Sequence, residues 1–396
     1  MHQPPKILIV DDTPLNVDLL EQALDELGYQ TVTAFDGQAA LEQIVATQPD
    51  LVLLDMMMPV MDGFEVLMRV KADPATHDLP VIVISALSDM SSIVRGIEMG
   101  ADDFLPKPFE PAILRARLQN SLDKKRWRDA EQLIARANER ELDIGREMQA
   151  SFLPQELPRV EGWEFAAYFQ AARQVAGDLY DVFPLSPEKR IGIFIGDVSD
   201  KGVGAALYMA LFRTLLRAAL QWDEFGRNDS AIAQDDAARL GASIRLTNNY
   251  VASMHGHTSM FATLFAGLLN PTTGELIYAN QGHMPPLVLN AQGIRMELGA
   301  TGIPLGIAPR ETFTVRAAQL ERGETLLLYS DGVTDAQNAN REFWDEAALL
   351  TAIRAFGAES PTVLLEKIVA RVNAHVNNAP RFDDMTLVAL KRLNGE

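Results

Sequence analysis

Residues 51–63 read LVLLDMMMPVMDG. Leu51–Leu54 is a short apolar run without alternation, the pattern of a strand covered on both faces, and it stops at a carboxylate, Asp55. The same grammar recurs on either side. Lys6–Val10 runs into Asp11 and Asp12, Thr31–Phe35 follows, Val81–Ile84 runs into Ser85, and Phe104–Leu105 runs towards Lys107. Between these five strands, Pro14–Leu27, Gln38–Thr47, Gly63–Lys71 and Ser91–Met99 space their apolar residues as helices do. Such alternation predicts a doubly wound α/β domain with a five-stranded parallel sheet over residues 1–122.

Further along, Pro111 suits the first turn of a long helix, where its missing N–H costs least. No Gly or Pro follows until Gly145, and Ala130, Ile134, Ala137, Glu141, Ile144 and Met148 fall on a 4-3-4-3-4 spacing. Residues 123–152 therefore read as a helical, coiled-coil-like linker, able to pair two chains or to pack on its own domains. From Pro154 the signals become antiparallel. Phe165–Gln170, Arg190–Gly196, Phe261–Leu269, Glu275–Ala279, Pro286–Leu289, Glu324–Tyr329 and Met385–Leu390 are strand candidates, with turns at Pro271–Gly274 and Asn290–Gly293. Helices are expected near Ala205–Gln221, Ala237–Ser253, Glu346–Ala355 and Pro361–Asn377, and a polar surface insertion at Asp223–Asp236. Strands and helices in separate runs predict an α+β sandwich of sheets with outer helices over 153–396.

Composition narrows the function. The 396 residues are 47% hydrophobic and 22% charged, as in globular chains. No cysteine is present, which removes disulfides, thiolate zinc sites and cysteine nucleophiles. The net charge is −19: residues 1–122 carry 7 basic and 19 acidic side chains, 123–152 carry 7 of each, and 153–396 carry 21 and 28. Without a basic stripe, nucleic acid is not an expected partner. No signal core precedes Ile7, and no apolar run approaches the ~18–20 residues of a spanning helix. The expectation is a cytoplasmic chain with no membrane partner.

Ligand sites in open parallel sheets lie beyond the carboxyl ends of the strands. There Asp11, Asp12 and Asp55 would repel one another unless a cation joined them, and all-oxygen ligation suggests Mg²⁺. Asp55 could then attack a phosphoryl donor, with Ser85 and Lys107 steadying the transferred group. Each residue alone reads as a solvated turn or surface position; the set does not. ILIVDD, LVLLDMMMPVMDG, VIVISA and ADDFLPKPF resemble the receiver domain of bacterial two-component response regulators across residues 5–122. The resemblance implies phosphorylation of Asp55 by a sensor histidine kinase. It also implies metal ligation by Asp12, Asp55 and the Met57 carbonyl with Asp11 nearby, a Ser85–Phe104 switch pair, and Lys107 as the phosphate-sensing cation.

The C-terminal region sets aspartates beside glycines at strand ends: Gly177-Asp178, Gly196-Asp197, Asp331-Gly332 and the pair Asp383-Asp384. Singly these read as hairpin turns. Together, at one end of stacked strands, they could share two divalent ions about 4 Å apart, with Mg²⁺ or Mn²⁺ favoured by oxygen ligands. REMQASFLP, VAGDLYDVF, GDVSDKGVGAAL, LLLYSDGVTDAQN and DDMTLV resemble the RsbU/SpoIIE-type branch of metal-dependent serine/threonine phosphatases, covering about 146–392. That resemblance implies a four-layer αββα sandwich. It makes Asp178, Asp197, Asp331 and Asp383 catalytic metal ligands, with the Val198 carbonyl beside them, Asp384 the alternative to Asp383, and Mn²⁺ or Mg²⁺, two ions, as cofactor. Ala176, Asp200 and Gln281 depart from the family pattern without removing a carboxylate. His283 reads as structural, and His255 with His257 does not by itself make a site.

The expected protein is thus a multidomain response regulator in which Asp55 phosphorylation controls a phosphoprotein phosphatase. The substrate implied by the resemblance is an anti-sigma-factor antagonist, and homodimerisation through the linker would transmit the signal. The alternative is a receiver-controlled binding or adaptor protein whose phosphatase fold is idle.

Overall fold

The structure is a computed structural model that describes residues 4–86, 90–185, 190–221, 235–256 and 260–394. The chain divides into two compact units, Met1–Asn138 and Glu139–Glu396.

In the first unit, β1 (Lys6–Val10), β2 (Gln30–Ala34), β3 (Leu51–Asp55), β4 (Val81–Ala86) and β5 (Asp103–Lys107) form one parallel sheet in the order β2-β1-β3-β4-β5. Every residue of β3 is buried, because both faces of the sheet are covered. One face packs Val10, Val52, Leu54 and Val83 against α2 (Gly37–Thr47) and α3 (Gly63–Ala72). The other packs Ile7, Leu53 and Ile84 against α1 (Pro14–Glu26) and the first turns of α5, through Leu114, Leu118 and Leu122. α4 (Met90–Glu98) precedes β5. Gly63 begins α3 where a Cβ would collide with the Asp55 carbonyl, which explains the glycine closing LVLLDMMMPVMDG. The helix α5 is continuous over Pro111–Phe152.

The second unit holds two five-stranded sheets. β7 (Leu179–Leu185), β8 (Arg190–Val198), β9 (Ala262–Leu269), β10 (Glu275–Gln281) and β13 (Arg316–Gln319) form one. β6 (Trp163–Gln170), β11 (Leu287–Asn290), β12 (Gly293–Glu297), β14 (Thr325–Tyr329) and β15 (Met385–Arg392) form the other. All pairings are antiparallel. Period-two side chains build the layers. Ile193, Ile195, Leu326 and Leu328 meet between the sheets. Phe194 turns outwards to α6 (Val203–Gln221) and α7 (Asp236–Met254), whereas Leu327 and Tyr329 turn outwards to α8 (Asp345–Phe356) and α9 (Pro361–Val376). The result is the αββα sandwich.

Two expectations need correction. The helix α6 is long and apolar enough to cross a membrane by length and composition, although no such run was expected. Arg213 and Arg217 interrupt its apolar run, so a search for uninterrupted residues passes over it. In the fold, α6 buries Ala205, Met209, Phe212, Leu216 and Leu220 against the β7–β10 side, and both arginines pair with the fully buried Asp181 of β7. The polar insertion also ends earlier than expected: Asp235 caps α7 by accepting from the Ala237 amide, and Asp236 is helical. The remainder of that stretch, 223–234, lies outside the described residues, as does His257.

Candidate active sites

The parallel strands deliver the first set of side chains to one edge. Asp11 and Asp12 follow β1, Asp55 ends β3, and in the β4–β5 register Ala86 stands opposite Lys107. One ligand oxygen from each of Asp11, Asp12 and Asp55 lies within 4.8 Å of the others, the tight three-carboxylate group among the described residues. Asp11 and Asp55 are buried, and Lys107 Nζ donates to both, at 2.8 and 2.6 Å. The Asn16 amide and the Thr13 N–H also donate to Asp11. Burial pushes Asp55 above the usual carboxylate range, Asp11 adding to it and Lys107 pulling back. Lys107 is held above its ordinary value by its bonds to Asp11 and Asp55, which outweigh the opposing effect of burial. Ser85 is buried at the end of β4. The Phe104 ring lies 5.0 Å from the Arg117 guanidinium of α5, which also donates to Asp103 at 2.6 Å. Met57 is exposed, and its N–H donates to Asp55 at 3.3 Å.

The second set comes from four separated stretches. Asp178 precedes β7, Asp197 stands near the end of β8 opposite Thr263, Asp331 opens a short 3₁₀ turn after β14, and Asp383 and Asp384 precede β15. They are close enough to perturb one another. Asp197 is pushed up to about 8 by burial first, then by Asp331, Asp383 and Asp384. Burial, Asp197 and Asp384 hold Asp178 well above the carboxylate range, while the Thr386 hydroxyl, donating at 2.5 Å, opposes them. Asp331 is raised by burial, Asp383 and Asp335. Such crowded carboxylates call for positive charge, and their hard oxygen donors fit Mg²⁺ or Mn²⁺.

The aspartate pair divides its work. Both oxygens of Asp384 accept backbone amides, from Ala172 and Gly177 at 2.7 Å each, so this side chain fixes the loop that carries Asp178. Asp383 instead accepts an ammonium: Lys201 Nζ donates to Asp383 Oδ2 at 2.8 Å and to the Phe382 carbonyl at 2.9 Å, above the Phe382 ring. Gly332 touches this pair so closely that a Cβ would overlap the Asp384 carbonyl. Val198 is buried and its N–H donates to the Gly177 carbonyl at 3.4 Å.

The family departures have physical accounts. Asp200 has φ +76°, left-handed backbone where glycine is easiest and aspartate is tolerated. Gln281 is buried, donates to Thr301 Oγ1 at 3.2 Å, and fills the space that Gly302 leaves by lacking a side chain. Ala176 has both backbone polar atoms bound by the Gln149 side chain. His283 is buried, with Nδ1 at 2.9 Å from Thr263 Oγ1, and burial pushes it down to about 4, so it is neutral. His255 caps α7 between the rings of Tyr208 and Tyr250. Sequence reading missed Lys201, Asp335 and Gln149 as neighbours of these groups. The only available hint was their place inside motifs already singled out.

Residues 187–393 match the family model for Stage II sporulation protein E (SpoIIE), and residues 7–119 match the response regulator receiver domain. Protein IcfG of Synechocystis sp. is 40% identical over 268 residues, 64% of this chain and 42% of IcfG. Response regulator PleD of Caulobacter vibrioides is 45% identical over 115 residues, 29% of this chain and 25% of PleD. The chain thus spans under half the length of either relative. Among solved structures, the SiaA-PP2C domain of Pseudomonas aeruginosa aligns with a TM-score of 0.54 at 18% identity, covering 66% of this chain and 99% of that domain, a likeness of fold. With more than half its length inside the family model, the chain belongs to the SpoIIE family and carries an N-terminal response regulator receiver domain.

Proposed function

We propose that this protein is a receiver-regulated phosphatase of the PP2C type that hydrolyses phosphoserine or phosphothreonine in a partner protein. The observation that carries this reading is the chain of neighbouring carboxylates in the second unit, where Asp197 stands near enough to raise Asp178, Asp331 and Asp383 near enough to raise Asp197, and Asp383 near enough to raise Asp331. We assign these four as ligands of two Mn²⁺ or Mg²⁺ ions, with the Val198 carbonyl beside them. Asp384 serves better as the anchor of the Asp178 loop than as a ligand, since amides already engage both of its oxygens. When bound, the ions supply an activated water and offset charge on the phosphoryl oxygens. The chain's own residues hold the carboxylates in place: Thr386 orients Asp178, and Asp384 fixes the backbone before it.

In the receiver, Asp55 would accept a phosphoryl group from a histidine kinase. Its carboxylate oxygen forms the new bond to phosphorus as the donor's nitrogen–phosphorus bond breaks. Lys107 would then exchange its bond to Asp55 for one to the phosphoryl group, and Asp12, Asp55 and the Met57 carbonyl, with Asp11 nearby, would hold a Mg²⁺ that offsets the phosphoryl charge. Ser85 and Phe104 respond as the switch pair, and Arg117 links Phe104 to α5. We take residues 1–122 as receiver, 123–152 as linker and 153–396 as phosphatase. Ile134, Ile144 and Met148 of the heptad seam are exposed, which supports pairing of two chains through α5. The substrate class that suits the family is an anti-sigma-factor antagonist.

The deciding assay is phosphate release from phosphorylated antagonist proteins with Mn²⁺, with and without acetyl phosphate, comparing wild type with Asp55→Asn and Asp197→Asn. Activity lost in Asp197→Asn, and insensitive to acetyl phosphate in Asp55→Asn, is the expected pattern. Full signalling by an Asp331→Asn chain that no longer hydrolyses would favour the adaptor reading instead.

A further inference from the structure

Gln149 is a buried amide on a helix whose neighbouring turns are exposed. Residues 129–141 of α5 are open to solvent, and the heptad residues Ile144 and Met148 remain so. A different face of the helix, Leu142, Gly145 and Gln149, turns inwards. Gly145 lies over Val175, where a Cβ would sit 3.7 Å from Val175 Cγ1. One turn on, the Gln149 side chain binds the next residue twice: Nε2 donates to the Ala176 carbonyl at 2.6 Å, and Oε1 accepts the Ala176 N–H at 2.9 Å. Both partners are backbone atoms of a buried residue two positions before Asp178. A side-chain amide that replaces the hydrogen bonds of a strand neighbour fixes backbone in two directions at once.

Among the described residues, Gln149 is what engages the backbone polar atoms of Ala176 itself. Ala172 and Gly177 are tied to Asp384, on either side of Ala176, and regular pairing starts only with Leu179 opposite Gly196. Losing the Gln149 amide would leave a buried N–H and a buried C=O unpaired, which the chain can relieve only by shifting the Ala176–Asp178 backbone towards other partners.

We propose that Gln149 is a positioning residue of the phosphatase centre: through Ala176 it sets where Asp178 presents its carboxylate, so that ion affinity depends on the placement of α5. The proposal rests on the metal reading given above. It identifies the inward face of α5, not the heptad seam, as the surface that reaches the centre. A turn of α5 about its axis at Gln149 would break both bonds together.

The test is calorimetric titration with Mn²⁺ of the full chain carrying Asp12→Asn, which removes the receiver's ion, with and without Gln149→Met, Gln149→Glu and Asp197→Asn. Each titration is run well below that variant's own melting temperature, so that folded protein is measured. We expect Gln149→Met to weaken Mn²⁺ binding about tenfold, the low end of the range for groups outside the ligand shell. Gln149→Glu keeps the acceptor for the Ala176 N–H but cannot donate to the carbonyl, so it falls between. Wild-type affinity in folded Gln149→Met, with Asp197→Asn losing the ions, would overturn the positioning role alone. Wild-type titration of Asp197→Asn would bring down the metal reading, and this role with it.

Discussion

Lys107 and Lys201 occupy comparable places in unrelated folds. Each ends at an aspartate of its acidic cluster, Lys107 at Asp11 and Asp55, Lys201 at Asp383. For Lys201, about a third exposed, the bond competes with any ion that uses Asp383. Lys201→Gln should therefore tighten Mn²⁺ binding at the phosphatase centre by roughly three- to fivefold, since a solvent-accessible pair of this kind is worth up to ~1 kcal/mol. Titration of full-length wild type and variant checks this. Asp197 gives a pH prediction. With its carboxyl pushed up to about 8, the ion-free fold holds a proton that the unfolded chain has already released. The ion-free protein should lose stability as pH rises from the ordinary carboxylate range towards 8, and ion binding near pH 7 should expel about one proton. Titrations in buffers of different ionisation enthalpy measure the proton count. At this scale, the carboxylates were legible as aspartates bordering apolar runs, whereas their polar supports were not. Lys201 meets a residue 182 positions away, and Gln149 meets one 27 away. Nothing about a lysine in a loop or a glutamine on a charged helix announces a partner at such separations.

Among the elements, long apolar or strongly periodic segments were readable, and the misses were sheet margins. The strands β12 and β13 are four to five residues long at the outer ends of their sheets, with GIRME and RAAQ too polar to signal burial. At the other end of its sheet, β7 carries Asp181 in mid-strand and Pro184 near its end, both tolerable on an edge. Asp181 explains how that edge is closed. Arg213 and Arg217 of α6 reach it at 2.9 and 3.0 Å, and the Arg217 guanidinium also covers the Phe183 ring. Asp181→Ala leaves two cations facing each other in a largely buried place, so a loss of about 3 kcal/mol is expected by chemical denaturation. An Asp181→Ala chain as stable as wild type would mean that α6 is held by its apolar face alone.

For the whole molecule, the ion-free state is already compensated. Asp197, pushed up to about 8 by burial and its acidic neighbours, holds a proton at neutral pH, Lys107 pairs with Asp11 and Asp55 and Lys201 with Asp383, and both units have buried apolar cores. On the proposed metal reading, chelation with EDTA should stop hydrolysis while leaving the far-ultraviolet circular dichroism spectrum unchanged, unlike small metal-nucleated domains. A chain that lost its helical signal on chelation would contradict this. The placement of the two lysines has a practical corollary. Each acidic cluster brings its own counter-charge off the ribosome, so assembly need not wait for metal, and on the proposed metal reading a shortage of manganese or magnesium would leave intact chains that resupply could switch on without new synthesis.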